Sequence, residues 1–120
     1  MPLIAHGKVM LSFIADILHD LSFDVPADGF RATEGQFRLR LVDRHSRFGD
    51  EPVAMAFNLT VYDVLSVEVE GRPEDDPGGD LFTDFEFDGK RQVLALKCSL
   101  AIKRIRCSVK RLHVELEQVI

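Results

Sequence analysis

Apolar and polar residues alternate along most of this chain, and the points where the alternation changes parity mark where its elements bend. The last third shows this most clearly. From Lys90 to Ile120 there is no Gly, Pro, Asn or Asp, the residues that usually end an element. Within that run Leu94, Leu96, Cys98, Leu100 and Ile102 are even, Ile105, Cys107 and Val109 are odd, and Leu112, Val114 and Leu116 are even again. A helical seam also exists: Cys98, Ile102, Ile105, Val109, Leu112, Leu116 and Val119 follow each other at helical spacing. That seam leaves Leu100, Cys107 and Val114 on the far face of the helix, because two residues on rotates a side chain by about 200°. The strand reading instead leaves an outer face from Ser99 to Glu115 whose one apolar side chain is Ala101. A straight strand of this length would run about 100 Å, too long for a small domain. The two slips are therefore the expected bends or reversals, made by bulges or tight corners.

Upstream, the spacing predicts a helix over residues 3–19. Its apolar face is read as Val9, Met10, Phe13, Ile14, Ile17, Leu18 and Leu21, with Lys8, Ser12, Asp16 and Asp20 opposite and Gly7 at or before its first turn. Leu21, Phe23 and Val25 alternate as a short strand, and Pro26-Ala27-Asp28-Gly29 reads as a turn. Phe37, Leu39 and Leu41 alternate with Gln36, Arg38 and Arg40, and residues 43–52 read as a polar loop. Residues 53–69 keep odd parity from Val53 to Val69, interrupted at Tyr62-Asp63, an expected corner. Residues 71–80 are the clearest loop. Leu81 to Phe87 resumes as a strand, and Asp88-Gly89 signals a hairpin into Lys90 to Leu100. About seven short strands with local connections predict a mainly β fold. The expected form is an antiparallel sandwich or partly closed barrel with one N-terminal α-helix, as a single domain over residues 1–120.

Composition narrows the function classes. Hydrophobic residues make up 46% and charged residues 29%, with nine Phe and no Trp, which suits a globular core built on Phe and aliphatics. The longest apolar stretch, Val9 to Leu18, is short and contains Asp16, so neither a membrane span nor a secretory leader is expected. Two cysteines fit a reducing cytoplasm. The net charge of −5 argues against duplex nucleic acid. The charge is also segregated: residues 68–88 hold nine acids and one base, and residues 90–111 hold eight bases and no acid. Either adjacent strands pair these charges across a ladder, or they form a bipolar surface that steers a charged partner.

No catalytic constellation emerges. Asp16, His19 and Asp20 share a helical face but lack a third strong ligand, and His19 suits a helix C-terminus in water. Cys98 and Cys107 lack metal spacing, fall on inward parity and read as buried thiols. Glu74, Asp75, Asp76 and Asp80 read as a solvated acidic loop without the ligand spacing of a calcium-binding hand. Gly78-Gly79 is no phosphate cradle. His45 and His113 read as surface residues. The strongest feature outside the core is the basic stripe of Lys103, Arg104, Arg106, Lys110 and Arg111. It has no interleaved aromatic residue for stacking bases, so an acidic protein surface suits it better than RNA.

Leu18-His19-Asp20 before a first strand, Phe37-Arg38-Leu39-Arg40-Leu41, the run from Phe57 to Val69 and a closing strand from Leu112 to Leu116 resemble, in pattern and order, small bacterial all-β proteins, including immunity proteins that neutralise polymorphic toxins. The chain departs from them in lacking a Trp near its start, and no functional residue is carried over. The resemblance implies stoichiometric binding of a toxin without catalysis. The expected function is thus a non-enzymatic protein-interaction module, without cofactor or metal. Its expected site is the basic stripe Lys103, Arg104, Arg106, Lys110 and Arg111 with the acidic residues Glu74, Asp75 and Asp76 and the loops at 43–52 and 71–80. The alternative is a small apolar ligand or lipid held in a cavity between sheet and helix. A homo-oligomer completed through an edge strand is a third reading.

Overall fold

A computed structural model describes residues 2–43, 47–48, 51–52, 55–75 and 78–119. The protein is mainly β, 54% strand and 13% helical, with one helix near the N-terminus and an antiparallel sheet of nine strands that does not close. In chain order the elements of the described residues, nine strands of that sheet and a separate pair, are β1 (Leu3–Ala5), α1 (Lys8–Leu18), β2 (Ser22–Phe23), β3 (Phe37–Asp43), β4 (Arg47–Phe48), β5 (Glu51–Pro52), β6 (Met55–Val61), β7 (Val64–Gly71), β8 (Asp80–Asp88), β9 (Val93–Cys98), β10 (Ile102–Val109) and β11 (Val114–Gln118). A 3-10 turn spans Pro73–Asp75. The spatial order is β1-β11-β6-β3-β2-β8-β9-β10-β7, so β1 and β7 are the two edges. β4 and β5 form a separate short ladder inside the region read as a polar loop; residues 44–46, 49–50 and 53–54 lie outside the described residues.

The strand reading of the last third holds, and both slips have a physical cause. The first is the register shift inside β10 between Ile102 and Arg104, which lets the even Ile102 and the odd Ile105 both face the core, directly after the β9–β10 reversal over residues 99–101. Leu100, expected inside, sits at the tip of that reversal and is 57% exposed. The second slip is a crossing. β10 pairs with β9 and β7, whereas β11 pairs with β6 and β1, so residues 110–113 carry the chain from one half of the sheet to the other. The Tyr62-Asp63 corner makes the opposite crossing from β6 to β7, with Asp63 in the left-handed region at φ 55°. The two crossings brace each other. The Lys110 N–H donates to the Asp63 carbonyl at 2.9 Å, the Tyr62 N–H to the His113 carbonyl at 2.9 Å, and the Arg111 Nε–H to the Asp63 carboxylate at 2.7 Å.

Both halves contribute inward side chains to one contiguous core. Leu39, Leu59, Val61 and Val114 come from one half, and Phe82, Leu94, Leu96, Ile105 and Cys107 from the other. Helix α1 packs on β8 and β1 and buries Leu11, Ile14, Ala15 and Leu18. Two helix expectations are corrected. Residues 3–5 form an edge strand against β11, and Gly7 is the N-cap. The buried stripe is also rotated from the expected one, because Val9, Met10 and Phe13 face outward and Leu11 and Ala15 face in. The helix carries two apolar stripes, and contact with β8 selects the one that places Leu11, Ile14 and Leu18 on a single face.

The Asp88-Gly89 hairpin is present, but its turn is wider than a two-residue one. Residues 89–92 form it, the Asp88 carboxylate accepts the N–H groups of Lys90 and Arg91, and the left-handed residue is Gln92 at φ 54°.

Candidate functional site

The outer face of β8, β9, β10 and β7 is a grid of cross-strand rows. One row is Asp84–Lys97–Arg104–Glu70, the next is Glu86–Ala95–Arg106–Glu68, and the third is Asp88–Val93–Ser108–Ser66. The acidic block of the sequence thus falls on the outer positions of β8 and β7, which flank Lys97 on β9 and Arg104 and Arg106 on β10. Arg104 reaches both ways: its Nη1 lies 3.5 Å from Glu70 Oε2 and its Nε 3.3 Å from Glu86 Oε2. Arg106 Nη2 lies 3.2 Å from the same Glu70 oxygen, and Lys97 Nζ 3.4 Å from Glu86 Oε1. These long side chains arch over Ala95, which is buried although it points outward. Arg104, Arg106 and Glu86 frame a depression with Glu68, Asp88, Arg91 and Val93. Partial desolvation works against ionisation of Glu86, but the Arg104 and Lys97 cations outweigh it and hold its pKa below the ordinary carboxylate value, while Glu86 raises that of Arg104.

The expected site residues do not fall on one continuous stripe. Arg104 and Arg106 lie on this face, half neutralised by Glu70 and Glu86. Lys103 lies at the register shift beside the 99–101 turn and is exposed. Lys110 and Arg111 lie at the opposite end of β10, on the crossing, where Arg111 is paired with Asp63 and lowers the Asp63 pKa. Glu74 and Asp75 are exposed on the 3-10 turn after β7, near Lys103 rather than near Lys110. Asp76 lies outside the described residues.

The ends of the 71–80 loop are pinned. A Cβ on Gly71 (φ 110°) would collide with the Ala101 carbonyl, and one on Gly79 (φ 88°) with the Phe23 carbonyl, so only glycine fits either place. The Arg72 N–H donates to that same Ala101 carbonyl at 3.1 Å. The loop therefore sits against the 99–101 turn. Asp80 is not the solvated loop acid expected from its neighbours. It is fully buried, and its carboxylate accepts the N–H groups of Leu81 (2.7 Å), Ser99 (3.2 Å), Leu100 (2.9 Å) and Ile102 (2.9 Å). This fixes the turn and presents the Leu100 side chain to solvent. No sequence signal separated Asp80 from Glu74, Asp75 and Asp76; the one hint was that it directly precedes the strand.

A second outer face, on β3, β6 and β11, carries Arg38 and Arg40 in one column, Asn58 and Thr60 in the middle and Glu115 and Glu117 in the third. The neutral strand keeps the charges apart: columns two strands distant stand about 10 Å from one another, and among the described residues Arg40 and Glu117 have no ion pair. Beside it His6, His113 and Tyr62 stack at centroid distances of 4.6 and 4.5 Å, and Tyr62 donates to Glu115 at 3.0 Å.

Of the remaining candidates, the His19 ring donates from Nδ1 to the Thr83 carbonyl (3.0 Å), which together with Asp20 raises its pKa, and among the described residues no group of three His, Cys, Asp or Glu is placed to hold a metal. Cys98 and Cys107 are not joined in a disulfide, and burial pushes the Cys107 thiol up to about 12. Among the described residues no helix is long and apolar enough to cross a membrane. Comparison with protein-family models, curated proteins and solved structures finds no match to this chain.

Proposed function

We propose that this chain is a non-enzymatic protein-interaction module. It docks its partner on the charged β7–β10 side of the sheet, with Leu100 as the apolar anchor. The observation that carries this reading is the use of Asp80. A fully buried carboxylate, costly to desolvate, is committed to four backbone N–H groups that hold an exposed leucine in one position. A preorganised apolar side chain on a turn that the polar 71–80 loop packs against has the form of an interface anchor beside a polar rim. Arg104, Arg106, Glu68 and Glu70 supply the charge pattern that orients the partner on approach.

The interior supports this reading over a cavity for a small apolar ligand or lipid. The space beneath α1 is occupied by Leu11, Ile14 and Leu18 packed in the core with Phe82 and Phe85. The two thiols, not joined in a disulfide, agree with a cytoplasmic, reducing setting. The resemblance to immunity proteins makes a stoichiometric inhibitor the specific form proposed.

The test is capture from native lysate with wild type, Leu100→Asp and Arg106→Glu, checking that all three melt alike. A partner recovered at stoichiometric level by wild type and lost by both variants supports the reading. Equal recovery by all three, or turnover of a substrate that a point substitution abolishes, overturns it.

A further inference from the structure

We infer that the free edge of β7, over Leu65–Glu70, is a strand-accepting edge for an extended segment of a partner protein that alternates apolar and basic residues. This rests on the interaction-module reading and names the kind of partner chain it takes.

The backbone geometry comes first. The Val109 N–H donates to the Gln92 carbonyl at 2.9 Å, on the β9 side of β10. Backbone groups alternate sides with period two along a strand, so Ile105 and Cys107 also face β9, while Arg104, Arg106 and Ser108 face β7. Their partners Glu70, Glu68 and Ser66 point back into that ladder. The N–H and C=O groups of Val67 and Val69 therefore point away from the sheet, where β7 has no neighbouring strand among the described residues. One end of this open stretch is closed by Gly35, whose carbonyl accepts the Val64 N–H, and the other leads into the pinned 71–80 loop.

The side chains give the specificity. On the inner side Val67 and Val69 are half-buried against the core, and Leu65 beside them, at the register shift, is 62% exposed. An added strand with apolar residues at inward positions would continue that core. On the outer side the edge presents Glu68 and Glu70. Glu70 is shared with Arg104 and Arg106, and Glu68 has no ion pair among the described residues. The complement is a segment with apolar residues inward and basic residues outward. β10 already presents this pattern to the other edge of β7, with Ile105 and Cys107 inward and Arg104 and Arg106 outward. A second copy of β7 is a poor occupant, because the two-fold register that uses all four edge groups sets the two copies of Glu68 directly opposite each other. Adding a strand to an exposed sheet edge takes affinity from main-chain bonds and selectivity from alternate side chains.

The probe is a capped peptide of alternating valine and arginine. Its controls are the valine–glutamate peptide and a valine–arginine peptide N-methylated along one edge, which keeps its charge but cannot form a ladder. The valine–arginine peptide should bind at least about tenfold more tightly than either control, and should slow amide exchange at Val67 and Val69. Val69→Pro removes one edge donor and no β10 ladder bond, and should abolish that binding; Glu68→Lys should shift preference toward the glutamate peptide. Equal binding of the N-methylated peptide overturns the proposal without relying on any variant that might fold poorly. Protection elsewhere on the sheet, or a wild-type dimer that Val69→Pro dissociates, also overturns it. If the peptides fail but a captured partner still depends on Leu100, the edge assignment falls while the module reading stands.

Discussion

The Leu100 N–H is held at 2.9 Å by the carboxylate of Asp80, a residue with no exposed surface, while the Leu100 side chain is 57% exposed. A buried acid and an exposed leucine are thus two halves of one device. Removing the acid should cost stability, and removing the leucine should not. Asp80→Ala removes a buried carboxylate that accepts from four backbone N–H groups, of which Ser99 keeps the Leu81 carbonyl at 3.2 Å, and should lower unfolding free energy by about 3 kcal/mol. Leu100→Ser should change it by less than about 0.5 kcal/mol. Chemical denaturation of both variants measures the contrast, and equal effects would mean that Leu100 is part of the packing.

The helix offers a similar contrast between two residues about 200° apart around its axis. Leu11 is buried and Phe13 is 52% exposed, although both are apolar and near in sequence. Leu11→Ala should destabilise by about 2–4 kcal/mol, and Phe13→Lys by less than about 0.5 kcal/mol. Thermal or denaturant melts of the two variants decide which stripe of α1 is packed.

The cysteines should separate by reactivity. Cys107 is fully buried with its thiol pKa pushed up to about 12, whereas Cys98 is only half-buried. The thiolate is the reactive form. Alkylation of the native protein at pH 8 should therefore label Cys98 first, and Cys107 only on unfolding. Mass spectrometry of the modified peptides reads the order directly.

Acid should loosen the charged grid through Glu86. Its folded pKa lies below the reference value of 4.5 because of Arg104 and Lys97. A depressed carboxylate stabilises the fold above its unfolded pKa and loses that contribution as pH falls through the folded value. The loss should thus begin below about pH 4.5 and be complete below the folded pKa, and should shrink in Arg104→Ala. Carboxyl NMR titration should show Glu86 moving up toward its reference value in that variant.

How legible this was in the sequence depended on the kind of signal. The extended nature of the last third was readable because Leu100, Cys107 and Val114 could not share a helical face with their neighbours. The parity slips mark a register shift beside a reversal and a crossing, yet alternation alone places Leu100 inward, because it gives no sign of where a turn begins. The phase of α1 is not legible, because the helix carries two apolar stripes and only the position of β8 chooses between them. The charge blocks were legible as blocks. Their pairing across the ladder of adjacent strands was legible too, whereas the return of β7 to the far side of β10 was not, because it is a long-range choice of neighbours. Asp80 was hidden among similar acids, because its burial follows from the fold of the 99–102 segment and not from its own surroundings in sequence.

Amide hydrogen exchange on the captured complex tests the binding claim most directly. Protection on binding is predicted to concentrate in residues 64–75 and 99–106, the β7 edge and the turn bearing Leu100. Protection confined to the α1 face or to the Arg38–Glu115 face, with residues 99–106 unchanged, would contradict it.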